Sequence, residues 1–323
     1  MRTITLDAVR EAASHMYAAA VRTPLVRLDL PFGAGDGPEI YLKLESLQPI
    51  GSFKLRGAWN AVRQLPAEAL ADGVWTVSAG NAAQGVAFAA RRAGVPCSVM
   101  VMDTAPDTKV RALASLGATI VRVTYDEAWR TVESHRSDRM RGHFVHPFDD
   151  DAFIAGNATA GLEILEDLPD VDAVVAALGG GGLLAGLGTV MRALKPDVRV
   201  YAAEPETAAP LARSLARGEA CYFDEWTASF VDGAGGKSVL PTMWPLLRTL
   251  VDDSLVVPLT EVAAAMRLVA DRVHVIAEGA GACAVAAARS GRAGRGKVVA
   301  VISGGNIDLA RFAELVASAP VAR

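Results

Sequence analysis

The sequence predicts an α/β fold with two domains, built from mainly parallel sheets with flanking helices. From residue 39 onward, short apolar runs alternate with stretches of helical period. Such alternation requires crossover connections, which join parallel strands. The chain has 323 residues and 51% of them are hydrophobic. Because one domain usually takes about 100–200 residues, this length indicates two domains with a large core.

Seven apolar runs are predicted as strands, and most of the segments between them as helices. The predicted strands are residues 40–44, 74–77, 96–102, 119–123, 173–178, 198–203 and 297–302. The predicted helices are residues 54–65, 81–93, 108–116, 125–136 and 183–194.

Charge and hydropathy exclude several functional classes. The 32 Lys and Arg residues against 36 Asp and Glu give a net charge of −4, which leaves no basic excess for a nucleic-acid partner. Low net charge with high hydrophobicity excludes disorder. The mean hydropathy is +0.27, but the sequence lacks a run of about 18 apolar residues, so no membrane partner is expected.

The cysteines and the N-terminal segment favour a cytoplasmic protein. Cys97, Cys221 and Cys283 form no short-spaced pair and no cluster with histidine, so a reducing compartment is expected. The chain begins with a polar segment that leads into an amphipathic helix, unlike the apolar core of a signal peptide.

A lysine begins the first predicted helix after a strand end, where ligands bind in parallel α/β sheets. Lys54 lies in the segment GSFKLRG, residues 51–57. The positive end of the helix dipole disfavours its protonated form. A lysine with a lowered pKa is what an imine to an aldehyde cofactor requires. A solvated lysine in the first turn of a helix is the simpler alternative.

The second loop, SAGNAAQG at residues 78–85, also joins a strand end to a helix start. Its small residues allow close approach of a ligand, and free N–H groups at a helix start suit a carboxylate or a phosphate. The alternative is an ordinary helix cap, with Ser78 or Asn81 as the capping side chain.

Two further loops follow predicted strands. One of them contains four consecutive glycines, residues 179–182. Four glycines cost more backbone entropy than a tight turn requires, whereas their N–H groups at a helix start suit a phosphate cradle. A flexible turn is the alternative for this tetraglycine loop. The other loop, residues 303–306, places the hydroxyl of Ser303 at the mouth of a buried strand, although a strand-terminating turn explains it equally well.

Other polar residues are predicted to be structural. His143 and His146 straddle a predicted strand end, without a carboxylate or cysteine at metal-ligand spacing. Residues 149–151 are predicted as a solvated loop or a helix cap. A helix is predicted at residues 271–276, and together with Glu278 it is expected to be core and surface and not a catalytic pair. The Gly-x-Ser-x-Gly pattern of a hydrolase nucleophile is absent.

These four loops together describe a pyridoxal phosphate site. They offer a lysine for an imine, a phosphate cradle, an anion-binding loop and a strand-end hydroxyl. The sequence resembles the pyridoxal phosphate-dependent serine/threonine dehydratases and serine racemases, which have the tryptophan-synthase-β-like fold, fold type II. The resemblance covers most of the chain. Besides the four loops it rests on Arg22-Thr23-Pro24-Leu25, His146-Pro147-Phe148-Asp149-Asp150, Ala203-Glu204-Pro205 and Trp244-Pro245.

The resemblance implies a role for each site residue. Lys54 would hold the cofactor and move the α-proton of the substrate, and Phe53 would pack beside the pyridine ring. Asn81 would bind the phenolic oxygen, and Ser303 would face the pyridine nitrogen. The substrate carboxylate would be bound by Ser78, Asn81 and the N–H of Ala82. The phosphate would be bound by the backbone N–H groups of Gly179, Gly180, Gly181, Gly182 and Leu183.

A serine at the ring nitrogen points to β-elimination. Its hydroxyl donates to an unprotonated nitrogen without forcing protonation, which makes the ring a poorer electron sink and disfavours transamination. The predicted function is a dehydratase, or ammonia-lyase, that converts a small β-hydroxy amino acid (serine, threonine or hydroxyaspartate-like) to a 2-oxo acid and ammonia. The alternatives are an amino-acid racemase, a β-replacement synthase, and a non-enzymatic cofactor carrier or regulatory homologue.

Three positions depart from the family pattern. Ala82 stands where a histidine is usual, which leaves the preferred substrate open. Ala79 replaces the second serine of serine racemases and argues against racemisation. Glu204 would be a metal ligand in the family, but Pro210 stands where its acidic partner would be, so no metal is expected.

The resemblance also implies how the chain is divided and assembled. Residues 1–64 and 151–323 would form a discontinuous, larger cofactor-binding domain. Residues 65–150 would form a smaller domain carrying the asparagine loop, with the site between the two. A small amino-acid substrate is expected as ligand, and a homodimer or higher homo-oligomer as the assembly.

Overall fold

The computed structural model describes residues 2–29 and 37–320. The residues of the predicted larger domain that lie outside the described ones are residue 1, residues 30–36 and residues 321–323. The described chain forms two sheets with flanking helices. The strands are β1 Leu25–Arg27, β2 Glu39–Lys43, β3 Val74–Val77, β4 Cys97–Met102, β5 Thr119–Val123, β6 His143–Phe144, β7 Ala173–Ala177, β8 Arg199–Pro205, β9 Asp253–Val257 and β10 Lys297–Val301.

Helices connect the strands and cover the sheets. They are α1 Leu6–Met16, α2 Lys54–Arg63, α3 Ala67–Leu70, α4 Asn81–Ala93, α5 Asp107–Ser115, α6 Tyr125–Ser134, α7 Asp151–Asp167, α8 Gly182–Leu194, α9 Pro210–Arg217, α10 Trp244–Leu250, α11 Leu259–Val273, α12 Gly279–Arg289 and α13 Leu309–Ser318. Two short 3-10 turns are Glu45–Leu47 and Asp232–Ala234. No helix of the described residues is long and apolar enough to cross a membrane.

The two sheets are mainly parallel. The six-stranded sheet has the order β1-β2-β10-β7-β8-β9, and the four-stranded sheet has the order β5-β4-β3-β6. The pairing of β1 with β2 is antiparallel, and the other described pairs are parallel. The central strand β7 is buried along its whole length, as its uninterrupted apolar sequence requires. The predicted α/β class is confirmed.

The strand order determines where the predicted loops meet. Strand β10 lies between β2 and β7 in the six-stranded sheet. The lysine loop follows β2, the tetraglycine loop follows β7, and residues 303–306 follow β10. Because parallel strands end at one edge of the sheet, these three loops lie side by side. The asparagine loop follows β3 of the four-stranded sheet.

A buried ion cluster anchors helix α2, which begins at Lys54. The fully buried Arg56 pairs with Glu45 at 2.7 Å and with Glu163 at 2.6 Å. The buried Lys43 contacts Glu163 at 2.6 Å. Each of these charges has an opposite partner, which compensates the cost of removing it from water. The cluster therefore fixes the helix whose first residue is the candidate cofactor lysine.

Candidate active site

The amine of Lys54 lies among three aromatic rings. Its Nζ atom is 5.3 Å from the ring centre of Phe53, 6.0 Å from that of Phe148 and 5.4 Å from that of Phe153. Nζ donates a hydrogen bond of 2.6 Å to the carbonyl oxygen of Pro147. The apolar surroundings desolvate the ammonium and lower the pKa of Lys54 to about 8. A neutral, nucleophilic amine is therefore accessible close to neutral pH.

Desolvation is the cause of this lowered pKa, whereas the sequence pointed to the helix dipole. The predicted alternative of a solvated lysine in the first turn of the helix is wrong, because the ammonium is surrounded by rings and a carbonyl group. The sequence could not show this, since Phe148 and Phe153 lie more than 90 residues further along the chain.

The tetraglycine loop follows β7, and close packing accounts for most of its glycines. A Cβ atom at Gly180 would lie 2.1 Å from the ring of Phe148, and one at Gly182 would lie 2.8 Å from the carbonyl oxygen of Phe148. A Cβ atom at Gly179 would lie 2.7 Å from the carbonyl oxygen of Gly233. Gly181 has a φ of +91°, which favours glycine on its own account. A turn would require glycine only at Gly181, where φ is positive. The alternative of a flexible turn therefore does not account for four glycines.

This loop fits a phosphate group. Helix α8 begins at Gly182, and no side chain of the described residues caps its N-terminus. The side chain of Leu183, the second residue of α8, is buried in the core. The first N–H groups of a helix have no partner within the helix and attract anions. A cradle without Cβ atoms and with an uncapped helix start is a suitable holder for the phosphate of pyridoxal phosphate.

The asparagine loop presents a second uncapped helix start. Helix α4 begins at Asn81 with Gly80 as its N-cap, and among residues 2–29 and 37–320 no side chain caps it. Ser78 accepts a hydrogen bond of 3.1 Å from the N–H of Gly80. The predicted alternative, in which Ser78 or Asn81 caps the helix, is therefore wrong. The buried Ala82 follows, and the N–H groups at this helix start suit a carboxylate.

Asn81 connects the two sheets through side-chain hydrogen bonds. Its Nδ2 donates to Oε1 of Glu278 at 2.7 Å, and its Oδ1 accepts from Nδ2 of Asn306 at 2.7 Å. Asn306 also donates to the carbonyl oxygen of Ile50 at 2.8 Å, next to the lysine loop. These bonds bring the asparagine loop against the loops that follow β2 and β10.

Ser303 lies directly against the lysine loop. Its side chain is buried, and its carbonyl oxygen accepts a hydrogen bond of 3.0 Å from the N–H of Phe53. Two residues further on, Gly305 donates to the carbonyl oxygen of Gly51 at 2.9 Å. All four predicted loops therefore meet at one place, with the lysine, two uncapped helix starts and the buried Ser303 around it. The residues fit pyridoxal phosphate.

Glu278 is buried against the asparagine loop, a contact that was not predicted from the sequence. Helix α11 ends at Val273, so the predicted helix through residues 271–276 is wrong beyond that residue. Glu278 is the N-cap residue of α12, and its buried carboxyl contacts Asn81. Burial, and secondly the charge of Asp232, raise the pKa of Glu278 to about 8. The sequence signal that could have identified Glu278 is its position directly before a helix of small residues.

The histidines and acidic residues before α7 have structural contacts. Nδ1 of His146 accepts hydrogen bonds from the N–H groups of Phe148 at 3.3 Å and Asp149 at 2.8 Å. Burial lowers the pKa of His146 to about 4, so the ring is neutral with its hydrogen on Nε2. His135, His146 and Asp149 lie within 4.8 Å of one another, but Nδ1 of His146 is already occupied by the two backbone N–H groups.

The three acidic residues at positions 149–151 do not share one role. Asp150 caps α7 by accepting from the N–H of Phe153 at 2.7 Å, as one of the predictions stated. Asp149 is buried and pairs with Arg2 and Thr242, so it is not part of a solvated loop.

Glu204, near the end of β8, caps the start of helix α9. Its Oε1 accepts from the N–H of Leu211 at 2.9 Å, and its Oε2 accepts from the N–H of Ala212 at 2.8 Å and from Ser254 at 2.5 Å. Both oxygens are occupied by protein donors at the start of α9. This arrangement is consistent with the prediction that Glu204 is not a metal ligand here.

Characterised proteins resemble this chain over most of its length. An L-threonine ammonia-lyase of Geobacter sulfurreducens is 39% identical over 312 residues, which cover 95% of this chain and 77% of that protein. Human serine racemase is 39% identical over 282 residues, 84% of this chain and 83% of that protein. The solved structure of maize serine racemase has a TM-score of 0.89 at 31% identity, and covers 97% of each chain.

These similarities confirm the predicted resemblance, the fold and the cofactor. They agree with a lyase as the main prediction and with a racemase as its alternative. The family described as "Pyridoxal-phosphate dependent enzyme" matches residues 17–304. The chain therefore belongs to the pyridoxal-phosphate dependent enzymes, within the group of fold type II that contains threonine ammonia-lyases and serine racemases.

Proposed function

We propose that this chain is a dehydratase, or ammonia-lyase, which removes water from a small β-hydroxy amino acid to give a 2-oxo acid and ammonia. The observation that carries the proposal is the desolvated amine of Lys54, which lies where the three other loops meet. The names of the threonine ammonia-lyases at 39% identity support the same reaction class.

Lys54 is proposed to hold the cofactor and to move the α-proton of the substrate. Pyridoxal phosphate, when bound, supplies an electron-withdrawing ring that stabilises negative charge at the α-carbon. Phe53, which is next to Lys54 in the chain, would pack beside that ring. Ser303 would donate to the ring nitrogen, and its neutral hydroxyl would keep that nitrogen unprotonated, which favours elimination over transamination.

Two uncapped helix starts would bind the two anionic groups. The N–H groups of residues 179–183 at the start of α8 would bind the cofactor phosphate. Ser78, Asn81 and the N–H of Ala82 at the start of α4 would bind the substrate carboxylate. Asn81 would also donate to the phenolic oxygen of the cofactor. Each group would be held by partial positive charge of the backbone, in a site that excludes water.

The preferred substrate depends on the space beside Ala82. Serine, threonine, 3-hydroxyaspartate and larger β-hydroxy amino acids are the candidates. The methyl group of Ala82 leaves room where the imidazole of related enzymes would contact the substrate. The names of the relatives favour threonine or serine as the first substrates to be tested.

A racemase is the second candidate, because serine racemases are 39% and 33% identical to this chain. Against it, Ala79 offers no hydroxyl for proton transfer on the opposite face of the α-carbon. A β-replacement synthase would require a second, nucleophilic substrate. A non-enzymatic carrier would need no base at the α-carbon, which makes the amine of Lys54 difficult to explain.

The domain division predicted from the sequence is retained as a proposal. Residues 65–150 would form the smaller domain, and residues 1–64 and 151–323 the larger one. The location of all four strands of the smaller sheet between residues 74 and 144 supports this division. Closure of the two domains over the substrate carboxylate would exclude water from the site.

We also propose a homodimer or higher homo-oligomer located in the cytoplasm. The resemblance to the serine/threonine dehydratases and serine racemases supports this assembly. The three cysteines are free and buried, which agrees with a reducing compartment. Sedimentation at several protein concentrations measures the assembly.

A substrate panel tests the proposed function. Purified protein loaded with pyridoxal phosphate is incubated with the four classes of β-hydroxy amino acid, and 2-oxo acid and ammonia are measured. Equal amounts of both products from at least one substrate support the dehydratase. Conversion between enantiomers without oxo acid supports the racemase, and a requirement for an added thiol supports the synthase.

A further inference from the structure

Glu278 and Asn81 form a contact between loops of the two sheets. Asn81 Nδ2 donates to Glu278 Oε1 at 2.7 Å, and the N–H of Glu278 donates to the carbonyl oxygen of Gly304 at 3.0 Å. A Cβ atom at Gly304 would lie 2.3 Å from Oε1 and 3.1 Å from Asn81 Nδ2. The backbone at Gly304 therefore closes over the pair and holds the carboxyl group in place.

The orientation of the Asn81 amide is fixed at both ends. Its oxygen accepts from Asn306, and one of its N–H bonds points to Glu278. A primary amide has two N–H donors, and none of the described residues accepts from the second, which is therefore available to a bound ligand. Rotation of the amide by 180° would break both contacts, because Glu278 would face an oxygen and Asn306 would face an N–H.

The surroundings of Glu278 favour its neutral form. Burial and the charge of Asp232 raise its pKa to about 8, and they outweigh the hydrogen bond from Asn81 and the charge of Lys109, which both lower it. Lys109, from α5, forms an ion pair with Asp232, from the 3-10 turn at Asp232–Ala234. A neutral carboxyl group accepts from Asn81 without adding a negative charge near a site that must bind a phosphate and a carboxylate.

We propose that Glu278 is a positioning residue, which holds the Asn81 amide so that its second N–H is available to the cofactor and the start of α4 stays in place for the substrate carboxylate, and which does so as a neutral carboxyl group. This inference rests on the proposed function, because Asn81 is there the ligand of the phenolic oxygen and of the substrate carboxylate. It adds a residue that acts through Asn81 and contacts neither ligand itself.

Glu278→Gln and Glu278→Ala separate the two parts of the proposal. Glutamine is neutral, has the same shape and retains an oxygen that accepts from Asn81, whereas alanine removes that oxygen. Glu204→Gln is the matched control, because Glu204 is also buried, has a raised pKa of about 7 and lies outside the site. Each protein is loaded with pyridoxal phosphate. The measurements are cofactor affinity, a pH titration of the bound-cofactor absorbance, and KM and kcat for L-serine and L-threonine.

With Glu278→Ala we expect a shifted titration of the bound-cofactor absorbance and a KM raised about tenfold, the effect of losing one net hydrogen bond. With Glu278→Gln, the KM at pH 7 stays within about threefold of wild type, which is less than the loss of that bond. The wild-type KM rises above pH 8, where Glu278 becomes charged and repels the substrate carboxylate, and this rise disappears in Glu278→Gln. Glu204→Gln retains the wild-type titration and KM.

Two results would overturn the inference. One is a wild-type absorbance titration and KM in Glu278→Ala. The other is a Glu278→Gln protein that behaves like Glu278→Ala or retains the rise in KM above pH 8, which would exclude a neutral positioning carboxyl. Glu278→Gln preserves shape and provides this test even where Glu278→Ala does not fold. Failure of the wild-type protein to bind pyridoxal phosphate would instead refute the proposed function.

Discussion

The amine of Lys54 donates a hydrogen bond of 2.6 Å to the carbonyl oxygen of Pro147. The next residue, Phe148, packs so closely on the tetraglycine loop that a Cβ atom at Gly180 would overlap its ring. The Pro147-Phe148 segment therefore sets the distance between the candidate cofactor lysine and the candidate phosphate cradle. Desolvation in this pocket makes the amine a nucleophile near neutral pH.

The lowered pKa of Lys54 predicts how the cofactor is taken up. Since only the neutral amine attacks an aldehyde, uptake of pyridoxal phosphate by cofactor-free protein should accelerate with pH, reach half its plateau rate at pH 8 and level off above about pH 9. At pH 7, one unit below the pKa, the rate should be about a tenth of its plateau value. Stopped-flow absorbance between pH 6 and 9.5 measures it. A rate independent of pH over this range would contradict the lowered pKa.

Lys54→Ala separates covalent attachment from simple binding. The variant should lose the absorbance of the lysine-bound cofactor and all turnover, while the phosphate cradle still binds the cofactor weakly. Absorbance after gel filtration and equilibrium dialysis measure the two properties. Lys109→Ala serves as a control, because Lys109 pairs with Asp232 and would keep the wild-type absorbance. If Lys54→Ala kept both the absorbance and turnover, Lys54 would not be the attachment point.

Ala82→His tests the origin of substrate preference. If the absent imidazole sets specificity, the variant should show a higher kcat/KM for threonine or serine relative to the other β-hydroxy amino acids. Ala82→Leu fills similar space without a polar group, and so separates size from hydrogen bonding. A single hydrogen bond to a substrate changes kcat/KM by about threefold to tenfold. Equal preferences in wild type and Ala82→His would show that position 82 does not select the substrate.

Ser303→Asp tests the electronic argument for elimination. An aspartate would favour protonation of the pyridine nitrogen and make the ring a stronger electron sink. The products should then shift from 2-oxo acid and ammonia toward racemised or transaminated species, as measured by chiral chromatography. Ser303→Ala removes the donor without adding charge and should lower the rate without changing the products. An unchanged product ratio in Ser303→Asp would refute this role.

The contacts of Glu204 predict that divalent cations are not required. Its two carboxylate oxygens accept from Leu211, Ala212 and Ser254, so a cation would have to displace these donors. Dialysis against a chelator, followed by addition of Mg²⁺ or Ca²⁺, should leave kcat/KM and the unfolding temperature unchanged. Loss of activity on chelation that Mg²⁺ restores would show that a metal site exists in spite of Pro210.

The elements of the fold that could be predicted are those determined by the local sequence pattern. Strands such as β7 are uninterrupted apolar runs followed by glycine, so their position and their burial could both be predicted. Strands β1 and β6, with three and two residues, are too short to produce a periodic signal. Strand pairing depends on contacts between distant segments, for which the sequence offers only the rule that crossovers favour parallel strands.

The candidate site divides in the same way. Lys54, Asn81 and Ser303 could be identified because each follows a predicted strand end, where ligands bind. Glu278 was missed because its role depends on a contact with Asn81, 197 positions away in the chain. The cause of the lowered pKa of Lys54 was also missed, since its aromatic surroundings include Phe148 and Phe153 from the region of α7.

Formation of 2-oxo acid from a β-hydroxy amino acid tests the proposed reaction. Cofactor-loaded protein is assayed with L-serine and L-threonine for 2-oxo acid, ammonia and the enantiomer of the substrate, with Lys54→Ala as control. We predict oxo acid and ammonia in a one-to-one ratio, little enantiomer, and no product from Lys54→Ala. Accumulation of the enantiomer without oxo acid, or equal turnover by Lys54→Ala, would contradict the proposal.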